Sequence, residues 1–241
     1  MAAVKLSELR TRVRELADLE TGAQASAFND DAEVNRALNR ALRQLYNHLI
    51  LHRGADFYVE ESSFSTSNGV TKYALPADFF QLLEVIADDG NAHFSVPKWG
   101  MKDLAEFKTY EQSTAGSIYN LNYRVRAKNI ELRPKPGTTS LTITLHYIPT
   151  LAELSNDNDT YEGFNGFEDW ACYNAAIDLL NKEESSRQAQ ALAGPLARLD
   201  AQIKSLAGTR DASRAEKVQD VRKTSWQHRR ARRRYGVGWD G

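Results

Sequence analysis

A single cysteine, Cys172, stands in this 241-residue chain, so no disulfide can form within it and a reducing compartment is expected. No apolar run approaches the length a membrane crossing needs. The opening stretch MAAVKLSELRTRVREL is charged throughout and lacks the apolar core of a secretion signal. These absences point to a soluble chain made in the cytoplasm, with no membrane partner. Chemistry-bearing motifs are equally scarce. There is no glycine-rich phosphate loop and no G-x-S-x-G, and Cys172 has no evident catalytic partner. His48 and His52 lie one helical turn apart, but a third ligand is lacking, and Leu49 stands where a metalloprotease motif needs glutamate. The run SNDNDTYEG at 155–163 resembles a calcium loop only faintly. With Asp157 first and Asp159 third, Tyr161 falls where an oxygen ligand belongs and Glu162 where glycine belongs. Asx-turn chemistry accounts for it better. No catalytic residue, metal site or cofactor is expected.

What is present is a division of charge. The net charge of −1 conceals ten Lys/Arg against four acids from Thr209 onward, which leaves 21 basic and 28 acidic residues before it. The body is thus −7 and the end +6. The chain closes with SWQHRRARRRYGVGWDG, in which Arg229, Arg230, Arg232, Arg233 and Arg234 are flanked by Trp226, Tyr235 and Trp239, with Arg222 and Lys223 just upstream. Ser213 and Glu216 form a capping box, so a helix could start there, yet Val218 and Val221 are too few to bury a face. A purely solubilising tail has no use for interleaved aromatics, whereas interface anchors need them. Two partners suit such a segment: an acidic, apolar protein groove, or the phosphates of nucleic acid.

Hydrophobic periodicity organises the rest. Leu6, Leu9, Val13 and Leu16 mark a helix over 5–20. Asp30 and Glu33 cap a stronger one over 31–52, with Val34, Leu38, Ala41, Leu42, Leu45, Leu49 and Ile50 on one face. Period-two stretches predict strands at 57–64, 70–75, 81–87, 92–96, 121–126 and 129–133, and a last strand carrying Leu141, Ile143, Leu145 and Tyr147. A short helix over 101–110 interrupts them. The aromatics of this region (Phe79, Phe80, Trp99, Phe107, Tyr110, Tyr119, Tyr123) could stack bases, but core packing is the better reading for most of them. Helices return over 166–183 and 186–207, the latter with Pro195 inside it and a kink expected there. Four helices with one apolar face each predict an α+β chain in four parts. The helices at 1–53 and 151–208 form an antiparallel four-helix bundle, 54–150 an inserted antiparallel β-rich lobe, and 209–241 an extended basic docking tail.

Several stretches resemble the head-to-tail adaptor (connector) proteins of tailed bacteriophages. Leu75-Pro76-Ala77-Asp78-Phe79 is similar to that family's "LPADF" turn and Leu82-Leu83-Glu84-Val85 to the strand after it. Asn129-Ile130-Glu131-Leu132-Arg133-Pro134-Lys135-Pro136 resembles the strand and turn before a final strand ending in Tyr147. The loop at 151–159, the aromatic-rich 164–173 and the two-helix opening follow in the same order, so the likeness spans about 5–208. The resemblance implies a structural virion protein, not an enzyme, made in the bacterial host cytoplasm. It implies a homo-oligomeric ring, typically a dodecamer, beneath the portal protein. Such a ring extends the channel through which double-stranded DNA passes and offers a platform to tail proteins (nozzle, stopper or tail-tube hub). The family's C-terminal segment docks on the portal, which would make Arg222, Lys223, Trp226, Arg229, Arg230, Arg232, Arg233, Arg234, Tyr235 and Trp239 the portal-binding residues. The alternative is a nucleic-acid-binding helical protein that uses the same arginine-rich end on phosphates.

Overall fold

The computed structural model describes residues 3–19, 30–52, 58–110, 120–137, 139–162 and 166–206. The chain divides into two units, 1–208 and 209–241, and all described residues belong to the first. Among them are five helices: α1 (Leu6–Ala17), α2 (Asp31–Leu51), α3 (Leu104–Tyr110), α4 (Glu168–Lys182) and α5 (Ser186–Leu206). The strands are β1 (Ala3–Lys5), β2 (Glu60–Ser65), β3 (Lys72–Ala74), β4 (Phe79–Asp88), β5 (His93–Ser95), β6 (Asn122–Arg126), β7 (Asn129–Arg133), β8 (Thr142–Pro149) and β9 (Thr160–Glu162). No helix among the described residues is long and apolar enough to cross a membrane.

Local sequence explains where the first helices begin and end. The Asp30 side chain accepts the Glu33 N–H at 2.7 Å, satisfying one of the free donors at the start of α2. Asp18 ends α1 by adopting the left-handed conformation (φ 53°), with its N–H on the Arg14 carbonyl. The donors at the start of α1 are met from far along the chain: Leu6 N–H reaches the Asp159 carbonyl at 2.8 Å and Ser7 N–H that of Asp157 at 3.3 Å.

The α+β character stands, but the four-helix bundle does not. A bundle requires every helix to bury a full face in one shared core. Here α4 is the hub against which α1, α2 and α5 each lie. Of the 21 residues of α5, only Ala189 and Ile203 are buried. The apolar faces of α1, α2 and α4 are closed instead by segments that are not helical: Val4 of β1, Tyr161 of β9, and Leu154 of the intervening loop. The premise that helices can cover only one another therefore fails. The three-residue strands β1 and β9 pair antiparallel, Val4 opposite Tyr161, and bring those covering residues to the core.

The remaining strands form two antiparallel sheets, ordered β2-β8-β4-β5 and β3-β7-β6. β8 is central to the larger sheet; its Leu145 lies opposite Ser62 of β2 and Val85 of β4. Val85, Ile143 and Leu145 from one sheet and Ile130 and Leu132 from the other share a second core. Glu131 lies in it, 2% exposed, held by Arg133 (2.7 Å) and Arg126 (3.1 Å). Burial pushes its carboxyl up, but the hydrogen bonds from Arg133 and Arg126 outweigh this and hold it below the usual range.

Candidate functional site

The ten residues expected to bind a portal (Arg222, Lys223, Trp226, Arg229, Arg230, Arg232, Arg233, Arg234, Tyr235 and Trp239) lie outside the described residues, as does the capping box at 213–216. The other sequence candidates can be placed. His48 stacks on Trp170 with ring centroids 5.9 Å apart, and its Nε2 lies 2.9 Å from Asp200 Oδ1 but off the angle of a hydrogen bond. Burial holds the imidazole below its usual range despite Asp200. Among the described residues no group of three or more His, Cys, Asp or Glu side chains could hold a metal ion.

The Asp159 carboxylate is turned into its own loop, accepting the N–H groups of Ser155 (2.7 Å) and Asn156 (2.8 Å). That is an Asx-type turn. Cys172 is buried, and burial pushes its thiol up to about 12, with Asp169 adding to the rise; such a group is no nucleophile. Trp99 is buried beneath the Arg124 guanidinium (5.3 Å to the ring centroid), with Phe107 edge-on to it. Phe79 and Tyr123 pack against the second core, whereas Phe80 is half exposed. The Tyr110 side chain and Tyr119 lie outside the described residues.

Where the two cores approach each other, distant segments enclose a cavity of about 320 Å³. α2 contributes Tyr46, and the approach to β2 contributes Tyr58 and Glu60. The turn before β4 supplies Asp78, the end of β8 Pro149, and β9 Tyr161 and Glu162. Tyr46 comes to the cavity because it shares the buried face of α2 with Leu42, Leu45 and Leu49. Its ring lies 4.3 Å from that of Tyr58, and its hydroxyl donates to the Pro149 carbonyl at 2.6 Å. The hydroxyls of Tyr58 and Tyr161 are 3.3 Å apart.

Asp78 is positioned by the LPADF stretch. Phe79 N–H closes the turn on the Pro76 carbonyl at 3.2 Å, and Thr150 N–H reaches the Asp78 carbonyl at 2.5 Å. Tyr147, on the last long strand, donates its hydroxyl to the Asp78 carboxylate at 3.2 Å. Two stretches that carry the family resemblance thus meet at this cavity. Burial, with the charges of Glu60 and Asp78 behind it, pushes the Tyr46 phenol up. Burial also raises Tyr58, and it brings Tyr161 and Tyr147 to about 12, the latter with help from Asp78. The phenols are therefore neutral hydrogen-bonding groups beside carboxylates, a set suited to recognition. No pattern in the sequence gathers these residues. The one local signal was the spacing that sets Tyr46 among the buried leucines of α2.

The Asn39 amide fixes the loop on the helical side of the cavity. Its Nδ2 donates to the Leu154 carbonyl (2.8 Å) and its Oδ1 accepts the Leu154 N–H (3.0 Å), as a neighbouring strand would. Arg10 holds the same loop at Asp157 (2.7 Å) and ties it to Asp31 of α2 (3.2 Å).

A comparison with curated proteins found no match to the sequence. The family model described as SU10 adaptor protein matches residues 4–223, from β1 through α5 and on to Lys223. That match spans both cores, the LPADF turn and the Tyr147 strand that meet at the cavity, and places the chain in the SU10 adaptor protein family as a bacteriophage adaptor.

Proposed function

We propose that this adaptor works at the head–tail junction of the virion as a homo-oligomeric ring. The ring docks beneath the portal, continues the DNA channel and presents a platform to tail proteins. The observation that carries the reading is the family match over residues 4–223, since a phage adaptor has portal and tail proteins as its partners and a structural rather than catalytic task. The parts divide as 1–53 and 151–208 for the helical portion, 54–150 for the strands and 209–241 for docking.

The docking contacts are assigned to Arg222, Lys223, Trp226, Arg229, Arg230, Arg232, Arg233, Arg234, Tyr235 and Trp239. The charge division supports this: a +6 end on a −7 body favours attachment by a charged, aromatic strap. One weak strap per copy becomes a strong attachment when all copies of a ring engage together. A closed ring also needs two different complementary faces on each copy.

Negative-stain imaging of the purified portal mixed with full-length protein, or with protein lacking 209–241, tests the reading. Rings seated on portals are expected with the full chain alone. Equal seating by both forms would refute the docking assignment. The nucleic-acid alternative predicts instead that the truncation removes a steeply salt-dependent DNA affinity and leaves seating intact.

A further inference from the structure

The cavity between the two cores has a composition that its structural role does not require. Three tyrosines line it, and Glu60, Asp78 and Glu162 are exposed at its edge. None of the three carboxylates has an ion-pair partner among the described residues, and none of the described lining residues is a lysine or arginine. The negative charge is felt inside the cavity, since after burial Glu60 and Asp78 are among the groups that raise the Tyr46 phenol.

We propose that this cavity is a receptor for the guanidinium of an arginine side chain presented by another protein chain. A planar guanidinium lies on an aromatic face and offers a fork of N–H donors to carboxylates, and the neutral tyrosine rings with carboxylates beside them supply both. A volume of about 320 Å³ stands at the small end of ligand pockets, enough for one long side chain and its neighbours. The carboxylates repel phosphate, so nucleic acid is not the occupant. The exposed edge favours a group delivered from outside. The guanidinium has two possible sources: the arginine-rich end of a second copy of this chain, or a different virion protein. The inference does not rest on where the C-terminal segment docks.

The test uses the full-length protein with ¹³C-labelled tyrosine and three probes: Nα-acetyl-arginine amide, Nα-acetyl-lysine amide, and a peptide of residues 225–241. Saturable shifts of Tyr46, Tyr58 and Tyr161 are expected with the arginine compound and weaker ones with lysine. Replacing Glu60→Gln together with Glu162→Gln, both exposed and remote from either core, should weaken arginine binding by at least about tenfold. Asp78→Asn is the second variant, checked for folding because Tyr147 leans on that carboxylate. Binding of the 225–241 peptide well above that of an unrelated arginine peptide assigns the source to a second copy; equal binding assigns it to a different chain. Absence of saturable shifts, shifts untouched by the substitutions, or equal response to the lysine compound would overturn the proposal.

Discussion

The helical core and the β core of this adaptor are closed by different means. Around the helices, the polar fastenings are long in sequence: Asn39 to Leu154, Arg10 to Asp157, Arg12 to Asp169 at 2.9 Å, and Lys182 to Glu33 at 2.6 Å. Around the strands, backbone ladders do most of the joining. The one buried charge, Glu131, is held by arginines only two and five residues away. A helix satisfies its own backbone, so its position relative to other elements must be specified by side chains. A sheet specifies position through the ladder itself and needs buried polar groups less. The same contrast explains why the cavity formed at the seam, where neither mode fills space completely.

The contrast can be broken most severely at Glu131. Glu131→Ala leaves Arg133 buried beside a void, and stability should fall by about 3–5 kcal/mol, read as a lowered urea midpoint. The wild-type acid limb carries the same group. Because the folded carboxyl lies below its ordinary value, its contribution is present above the unfolded pKa and is lost as pH falls through the folded one. Glu131→Gln should flatten stability against pH below the usual carboxylate range; an unchanged acid limb would remove Glu131 from this role. Next comes Asn39→Ala, which strands the Leu154 N–H and carbonyl. It should cost about 1–3 kcal/mol for each group left unpaired, and faster amide exchange should be confined to 151–159. Exchange rising equally in the strands would show that the two cores are one cooperative block.

Tyr46→Phe removes only the hydroxyl on Pro149 and should cost about 0.5–1.5 kcal/mol by thermal unfolding, sharpening how firmly β8 is held to α2. The smallest effect is expected at the surface pair of α2 and α4. Arg40 and Asp178 lie 3.3 Å apart and are largely exposed, so a double-mutant cycle should return about 0–1 kcal/mol. A larger coupling would mean that surface charge, and not the loop clamps, sets how α2 lies on α4.

The elements themselves were legible. The α2 face, the period-two runs and the capped starts are strong local patterns, and they name the helices and the longer strands to within a few residues. The way the helices are covered was not. β1 and β9 have three residues each, too few to show any period, yet they carry Val4 and Tyr161 into the helical core and undo the bundle. Phe80 looked like its neighbour Phe79, but alternation along the strand turns it outward. The cavity was illegible because its residues come from positions 46 to 162, and the LPADF turn showed its role in the chain's path but not that Asp78 would face a pocket. The docking segment is legible as composition alone.

The placement of α4 as hub has a consequence for birth on the ribosome. All strands of the two larger sheets lie within residues 60–149, and at the usual 5–20 residues per second they emerge before α4 exists. The β half can therefore close while α1 and α2 still wait, greasy side uncovered, for the helix that will receive them. The beginning of the chain is the last portion to be sheltered, which makes it the natural place for a host chaperone to hold a nascent copy.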